Sequence, residues 1–309
     1  MVTTKGGAMG STTHETSEVE VVQLRDLQVA VTTTGSGPPI LLLHGFPHTN
    51  AIWRTVTPLL VAAGHQVVAP DLRGLGSSEV LVDGYDAATL AADQAALLDA
   101  LGLPAAHVVG LDLGAAVAFA LATSRPDRVS SLTVVEAVVG GLPGAETFVA
   151  GGGGPWWFGF HQAPGGLAED VVAGAEDRYV RFFLGIGSRT GVPDDLADTL
   201  VAAYTGPGRL RAAFEHYRAM PSNAAANRAW SESGTLTMPV TAVGASPVQD
   251  APARQLERVA PDLVEVLLPD SGHLVPVDAP EQLADTIVAT AARRAVGRSR
   301  GGPPPARNA

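Results

Sequence analysis

Short apolar runs recur along the first half of the chain, each closed by Gly, Pro or a charged turn. Val19-Glu20-Val21-Val22 and Leu27-Gln28-Val29-Ala30-Val31-Thr32 read as β-strands, ended by Gly35-Ser36-Gly37-Pro38-Pro39. Ile40-Leu41-Leu42-Leu43 is apolar at every position, as in a strand covered on both faces of a parallel sheet. Val67-Val68-Ala69, Val108-Val109 and Leu132-Thr133-Val134-Val135 repeat the pattern, the last stopping at Glu136. Helical patterns alternate with these strands. Asn50 is placed as the cap of a helix running to about Ala63, and Asp86 opens an amphipathic helix to about Leu101. A small-residue helix follows Gly114 and ends near Ser124-Arg125-Pro126.

The alternation breaks at about residue 138. Residues 138–232 are rich in Gly, Ala and aromatics and carry helical patterns without a clear strand; Gly151 to Gly154 form a flexible or tightly turned spot. Strand and helix resume with Met238-Pro239-Val240-Thr241-Ala242-Val243, a helix near 251–259 and Leu263-Val264-Glu265-Val266-Leu267-Leu268. The turn Pro269-Asp270-Ser271-Gly272-His273 comes next, then a last helix from about Pro280 to Val296. The expected architecture is α/β: a mostly parallel sheet with helices on both faces, built from residues 18–137 and 233–296, under a helical lid of residues 138–232. Residues 1–17 read as a disordered leader and 297–309 as a disordered basic tail.

Composition narrows the function classes. The chain of 309 residues is 46% apolar and 17% charged, with a formal charge of −11 and pI near 5.1. That balance argues against nucleic acid or an anionic membrane as partner. With no cysteine, thiolate catalysis, disulfides and Cys-based metal sites are excluded. No apolar run reaches the roughly 18 residues a membrane span needs, and Lys5 is followed by no apolar segment of a secretory signal. The expectation is a cytoplasmic protein.

Chemistry-bearing residues fall at strand ends. Val108-Val109 runs into Gly110-Leu111-Asp112-Leu113-Gly114 and then a helix, the pattern of a nucleophile elbow displaying one side chain above a sheet. Asp112 occupies the displayed position. A carboxylate attacks amides poorly but displaces at a strained or activated sp³ carbon, giving an ester that water then cleaves. Glu136 and His273 also sit just after expected strands, where open α/β sheets bind ligands, so the three can converge.

His44-Gly45-Phe46-Pro47, Asp71-Leu72-Arg73-Gly74-Leu75-Gly76-Ser77, the Asp112 elbow and Ser271-Gly272-His273 occur in that order. Over about residues 19–296 the chain resembles the α/β-hydrolase superfamily, in its branch of epoxide hydrolases and dehalogenases with an Asp nucleophile. The resemblance implies Asp112 as nucleophile and His273 as the base that activates water. It places the acid that orients His273 either after the strand following the elbow, where Glu136 stands, or after the next-to-last strand, where Asp250 is the fallback; Glu136 is favoured. Backbone N–H groups of Phe46 and Leu113 would form the oxyanion hole. The Asp71 stretch would brace loops behind the elbow.

Epoxide hydrolases carry two lid residues that hold the ring oxygen. Glu215-His216-Tyr217-Arg218-Ala219 resembles the segment of one, which assigns Tyr217 as acid. In Pro155-Trp156-Trp157-Phe158, Trp157 stands where relatives often have His; an indole N–H donates but delivers no proton. Trp156 and Trp157 are assigned to the substrate pocket, a Trp pair similar to that of epoxide hydrolases of aromatic polyketide pathways of the kinamycin and fluostatin kind. His161, His216, Tyr204 and Trp230 are read as packing.

The expected function is opening of a hydrophobic epoxide to a vicinal diol, with no metal or organic cofactor; the oligomeric state is left open. Two rivals share these residues. A haloalkane or haloacid dehalogenase would use the same Asp112, but Leu113 follows the nucleophile where halide-gripping relatives have Trp and carboxylate-binding ones Arg. A binding protein that kept the fold without turnover would have no use for Glu136 and His273.

Overall fold

The apolar runs pair into one eight-stranded sheet. The computed structural model describes residues 18–144 and 154–293. The expected leader and tail, three of the glycines at 151–154 and the last three residues of the expected final helix lie outside them.

In chain order, β1 (Val19–Gln23), β2 (Gln28–Thr34) and β3 (Pro39–Leu43) lead through a 3₁₀ turn, Asn50–Trp53, to α1 (Val56–Ala62). Then come β4 (Gln66–Pro70), α2 (Ala87–Ala100), β5 (Ala106–Leu111), α3 (Leu113–Ser124) and β6 (Val129–Val135). Among the described residues, six helices follow without a strand: α4 (Trp156–His161), α5 (Leu167–Val172), α6 (Glu176–Gly187), α7 (Asp194–Ala203), α8 (Arg209–Arg218) and α9 (Met220–Ser231). The chain closes with β7 (Val240–Ala245), α10 (Ala251–Leu256), β8 (Leu263–Leu268), α11 (Val275–Asp278) and α12 (Pro280–Ala292).

Strand order is β1-β2-β4-β3-β5-β6-β7-β8. β1 and β2 pair antiparallel, as do β2 and β4; the other pairs are parallel. Central β5 is buried at all six positions, while edge strand β8 leaves Val264 and Leu267 exposed. This is the continuous-apolar pattern of a parallel sheet covered on both faces. The order reverses around β3, and the elbow stands at the carboxyl end of its neighbour β5, the crevice where such sheets take ligands.

Two local expectations are corrected. Thr49, not Asn50, caps the turn after β3: its side chain accepts the Ala51 N–H at 3.1 Å. The Asn50 N–H is taken by Asp71 Oδ1 at 2.7 Å, so the first turn tightens to 3₁₀ and the α-helix starts only at Val56. The short α11 was not anticipated. Asp86 does cap α2, accepting the Thr89 N–H at 3.0 Å.

Helices α4–α9 lie over the carboxyl ends of the strands around an aromatic cluster into which Phe46 rises from the sheet. The Phe46 ring is 5.1 Å from His161, 5.2 Å from Tyr204 and 5.7 Å from Tyr217. Such edge-to-face pairs add roughly 0.5–1.5 kcal/mol each beyond area burial. Polar ties join the layer to the sheet domain: Tyr204 Oη donates to His48 O at 2.7 Å and Arg209 Nη1 to Ser78 O at 2.7 Å. No helix among the described residues is long and apolar enough to cross a membrane.

Candidate active site

The elbow depends on close backbone approach. A Cβ at Gly114 would stand 2.3 Å from Leu43 O, and one at Gly45 would stand 2.1 Å from Asp112 Oδ1. Neither position tolerates a side chain, so β3 and α3 can pass closely enough to set the turn. Asp112 itself has φ 54° and ψ −123°, strained for a residue with a Cβ and held by the surrounding packing. It sits at the N-terminus of α3, where unpaired N–H groups and the helix dipole favour an anion.

Asp112 Oδ1 accepts the Phe46 N–H at 2.8 Å, and Oδ2 lies 3.3 Å from His273 Nε2. On its other side His273 Nδ1 is 3.1 Å from Glu136 Oε2. Glu136 is buried, and its second oxygen accepts the Ala245 N–H at 2.7 Å and the Val248 N–H at 3.3 Å. The loop after β7, the alternative seat for an acid, thus serves to hold Glu136. Asp250 is half exposed at the start of α10, 3.3 Å from Arg254, so Glu136 takes the contact with His273 that was left open between them. Asp71 braces as expected, accepting the Asn50 and Ser77 N–H groups, and Arg73 pairs with Asp93 at 2.8 Å.

Burial works against a charge on His273, but the bonds and charges of Asp112 and Glu136 outweigh it and raise its pKa from 6.5 to about 10. Burial likewise opposes ionisation of Asp112, yet the hydrogen bond and charge of His273, with the Phe46 N–H, hold its pKa below the usual value. At neutral pH His273 is an imidazolium beside the Asp112 carboxylate, with Glu136 on its other side. A histidine whose pKa is higher folded than unfolded adds stability that is whole below about 6.5 and lost as pH rises through about 10. The difference in melting temperature between wild type and His273→Gln should therefore shrink from pH 7 to above pH 10. A difference that stays constant or widens would show that His273 is neutral in the resting protein.

Above these three residues lies a cavity of about 470 Å³, within the range of small-molecule sites. Asp112, Glu136 and His273 border its floor; Tyr217, Trp157 and Phe183 face it from the helical layer. No Lys or Arg lines it among the described residues. The wall is thus apolar apart from the floor and a few donors. Tyr217 is 2% exposed, and burial pushes its phenol pKa well above 10, keeping the proton on.

The tryptophan pair is split. Trp157 borders the cavity, edge-on to Phe183 at 5.4 Å. Trp156 is 57% exposed on the outer surface near Phe182 and does not line the cavity, which corrects its assignment to the pocket. Consecutive residues on a helix point about 100° apart, so α4 can turn only one of the two inward. His161 packs instead, stacked on Phe214 at 4.4 Å with Nε2 2.7 Å from Tyr179 Oη. His216 lines the cavity, but its Nε2 bonds to Arg73 O at 3.1 Å. His48, which sequence reasoning passed over, borders the floor beside His273.

The arrangement offers an anionic oxygen, a histidine oriented by a buried carboxylate, the Phe46 N–H on the far oxygen and a phenol opposite. Residues 38–160 match the model of the alpha/beta hydrolase fold family. The chain is 31% identical to the soluble epoxide hydrolase of Corynebacterium sp. (strain C12) over 269 residues, covering 82% of this chain and 90% of that one. It is 36% identical to the fluoroacetate dehalogenase of Burkholderia sp over 169 residues, 52% of this chain and 55% of that one. Among solved structures, epoxide hydrolase CorEH superposes with a TM-score of 0.80 at 28% identity, over 88% of this chain and 98% of that one. The chain belongs to the α/β-hydrolase family. Within it, its relatives include epoxide hydrolases matched over most of their length.

Proposed function

We propose that the protein is an epoxide hydrolase that opens its substrate through a covalent ester on Asp112. The observation that carries this is the unbroken line Asp112–His273–Glu136 on the floor of an apolar cavity with the protonated Tyr217 facing it. The epoxide carbon takes a bond to Asp112 Oδ2 as the ring C–O bond breaks, and the leaving oxygen takes the Tyr217 proton. Trp157 holds that oxygen as a second donor. Ester formation removes the charge of Asp112, one of the two anions that keep His273 protonated. His273 then returns a proton to the Tyr217 phenolate and becomes the base.

Water loses one proton to His273 and attacks the ester carbonyl. That oxygen descends from Oδ1, which the Phe46 N–H already holds, with the Leu113 N–H as second donor. Cleavage of the acyl C–O bond leaves the water oxygen in Asp112; the second water proton goes to the departing diol. Glu136 keeps the imidazole in position through both half-reactions.

The substrate is a neutral hydrophobic epoxide. With no Lys or Arg in the wall among the described residues, the one cation a haloacid carboxylate would meet is His273, already held between Asp112 and Glu136, and a halide would meet a single inward-facing indole. The aromatic faces of Phe46, Trp157 and Phe183 suit a flat ring system, consistent with a polyketide-type substrate. Diol formation from aryl epoxides, without halide release from haloalkanes or fluoroacetate, is the expected outcome; the reverse pattern would make it a dehalogenase. Tyr217→Phe should slow ester formation on the order of 10²-fold or more while leaving ester hydrolysis within a few-fold. Equal loss in both steps would remove Tyr217 from the role of acid.

A further inference from the structure

Five of the histidines are fully buried or nearly so, and four of them have protein partners. His44 meets Gly45 O and the Leu72 N–H, His107 meets Ser131 and Thr133, His161 meets Tyr179, and His216 meets Arg73 O. His48 is the exception: it is 0% exposed, yet neither ring nitrogen has a hydrogen-bond partner among the described residues. A buried donor or acceptor left unpaired is destabilising, and His48 carries one of each when neutral. Burial does keep it neutral, lowering its pKa to about 3.

Its place is nevertheless well held. The His48 N–H donates to Gly45 O at 3.1 Å, and its carbonyl accepts Tyr204 Oη at 2.7 Å. The ring borders the catalytic cavity, with its centroid 6.2 Å from that of His273 and the two planes 34° apart. A centroid separation of 6.2 Å is short enough for one oxygen to bond a nitrogen of each ring at about 2.9 Å. His48 lines that cavity beside His273, so a molecule on the cavity floor is placed to supply a partner that the described residues do not.

We propose that His48 positions the hydrolytic water, holding it between its own ring and His273 Nε2 for attack on the Asp112 ester. This rests on the ester reading above. A neutral imidazole fixes a water as donor or acceptor without competing for its proton, and the proton still leaves to His273. Ring opening needs no water, so His48 acts in the second half-reaction alone.

The test separates the two steps by rapid mixing with an aryl epoxide such as styrene oxide and by intact-protein mass. His48→Phe keeps a ring of similar size and removes both nitrogens; His48→Gln retains a donor and an acceptor. The expected result is ester formation within threefold of wild type in both variants, ester hydrolysis at least tenfold slower in His48→Phe with an ester adduct accumulating, and hydrolysis restored to within threefold in His48→Gln. His48→Leu replaces His48→Phe if the latter does not fold. Hydrolysis within threefold of wild type in the apolar variant, loss confined to ester formation, or equal loss in both steps would each overturn the proposal. His273→Gln is the control: an adduct there without one in His48→Phe leaves the ester reading standing and removes His48, whereas no adduct in any variant strikes the ester reading itself.

Discussion

His273→Gln should trap the enzyme halfway. Ring opening uses Asp112 and Tyr217, so one equivalent of epoxide is consumed quickly and its mass appears on the protein. Ester hydrolysis then lacks its base and should slow on the order of 10²–10⁴-fold. Glutamine keeps a polar side chain in the space of the imidazole, so the substitution mainly removes the proton-accepting nitrogen 3.3 Å from Asp112 Oδ2. It also removes the cation that holds Asp112 ionised, so the first step should slow modestly and the second severely. The measurement is a single-turnover time course of epoxide loss, adduct and diol. Diol release in step with epoxide loss would mean that His273 is not the base for a covalent intermediate.

Asp112→Asn should abolish both steps, with turnover lower on the order of 10⁴-fold or more. An amide oxygen is a poor nucleophile, and its NH₂ presents a donor to His273 or to the Phe46 N–H where an acceptor stands now. The strained backbone at φ 54° is tolerable for Asn, which visits positive φ more readily than most residues, so the variant should fold. Intact mass excludes deamidation back to Asp during the assay. Full turnover in a protein that remains Asn would remove Asp112 as nucleophile.

The elbow was legible because its constraint is local: Gly110 and Gly114 flank the displayed residue, and the packing of α3 on β3 leaves no room for a Cβ. Sheet strands were legible wherever burial on both faces wrote a continuous apolar run, as in Ile40–Leu43. Glu136 was ranked above Asp250 from its position at a strand tip. The physical reason lies elsewhere, in Ala245 and Val248 N–H groups contributed from 109 and 112 residues away. A single sequence cannot place such donors.

The helical layer was read less well. Trp156 and Trp157 are adjacent, and the phase of a six-residue helix cannot be set from composition, so both were turned inward when only Trp157 is. Thr49 displaced Asn50 as a cap because a distant Asp71 claims the Asn50 N–H. His48 was missed for the same kind of reason. Its signature is the lack of protein partners in a buried place, which exists only once the elements around it are assembled.

The covalent ester on Asp112 is tested most directly by a single turnover in heavy-oxygen water, with protein in excess over epoxide, followed by mass analysis of the peptide carrying Asp112. Heavy oxygen is expected in the Asp112 carboxylate, with a diol whose two oxygens both carry the light isotope. An unlabelled Asp112 with heavy oxygen in the diol would mean that water attacks the epoxide directly, and would contradict it.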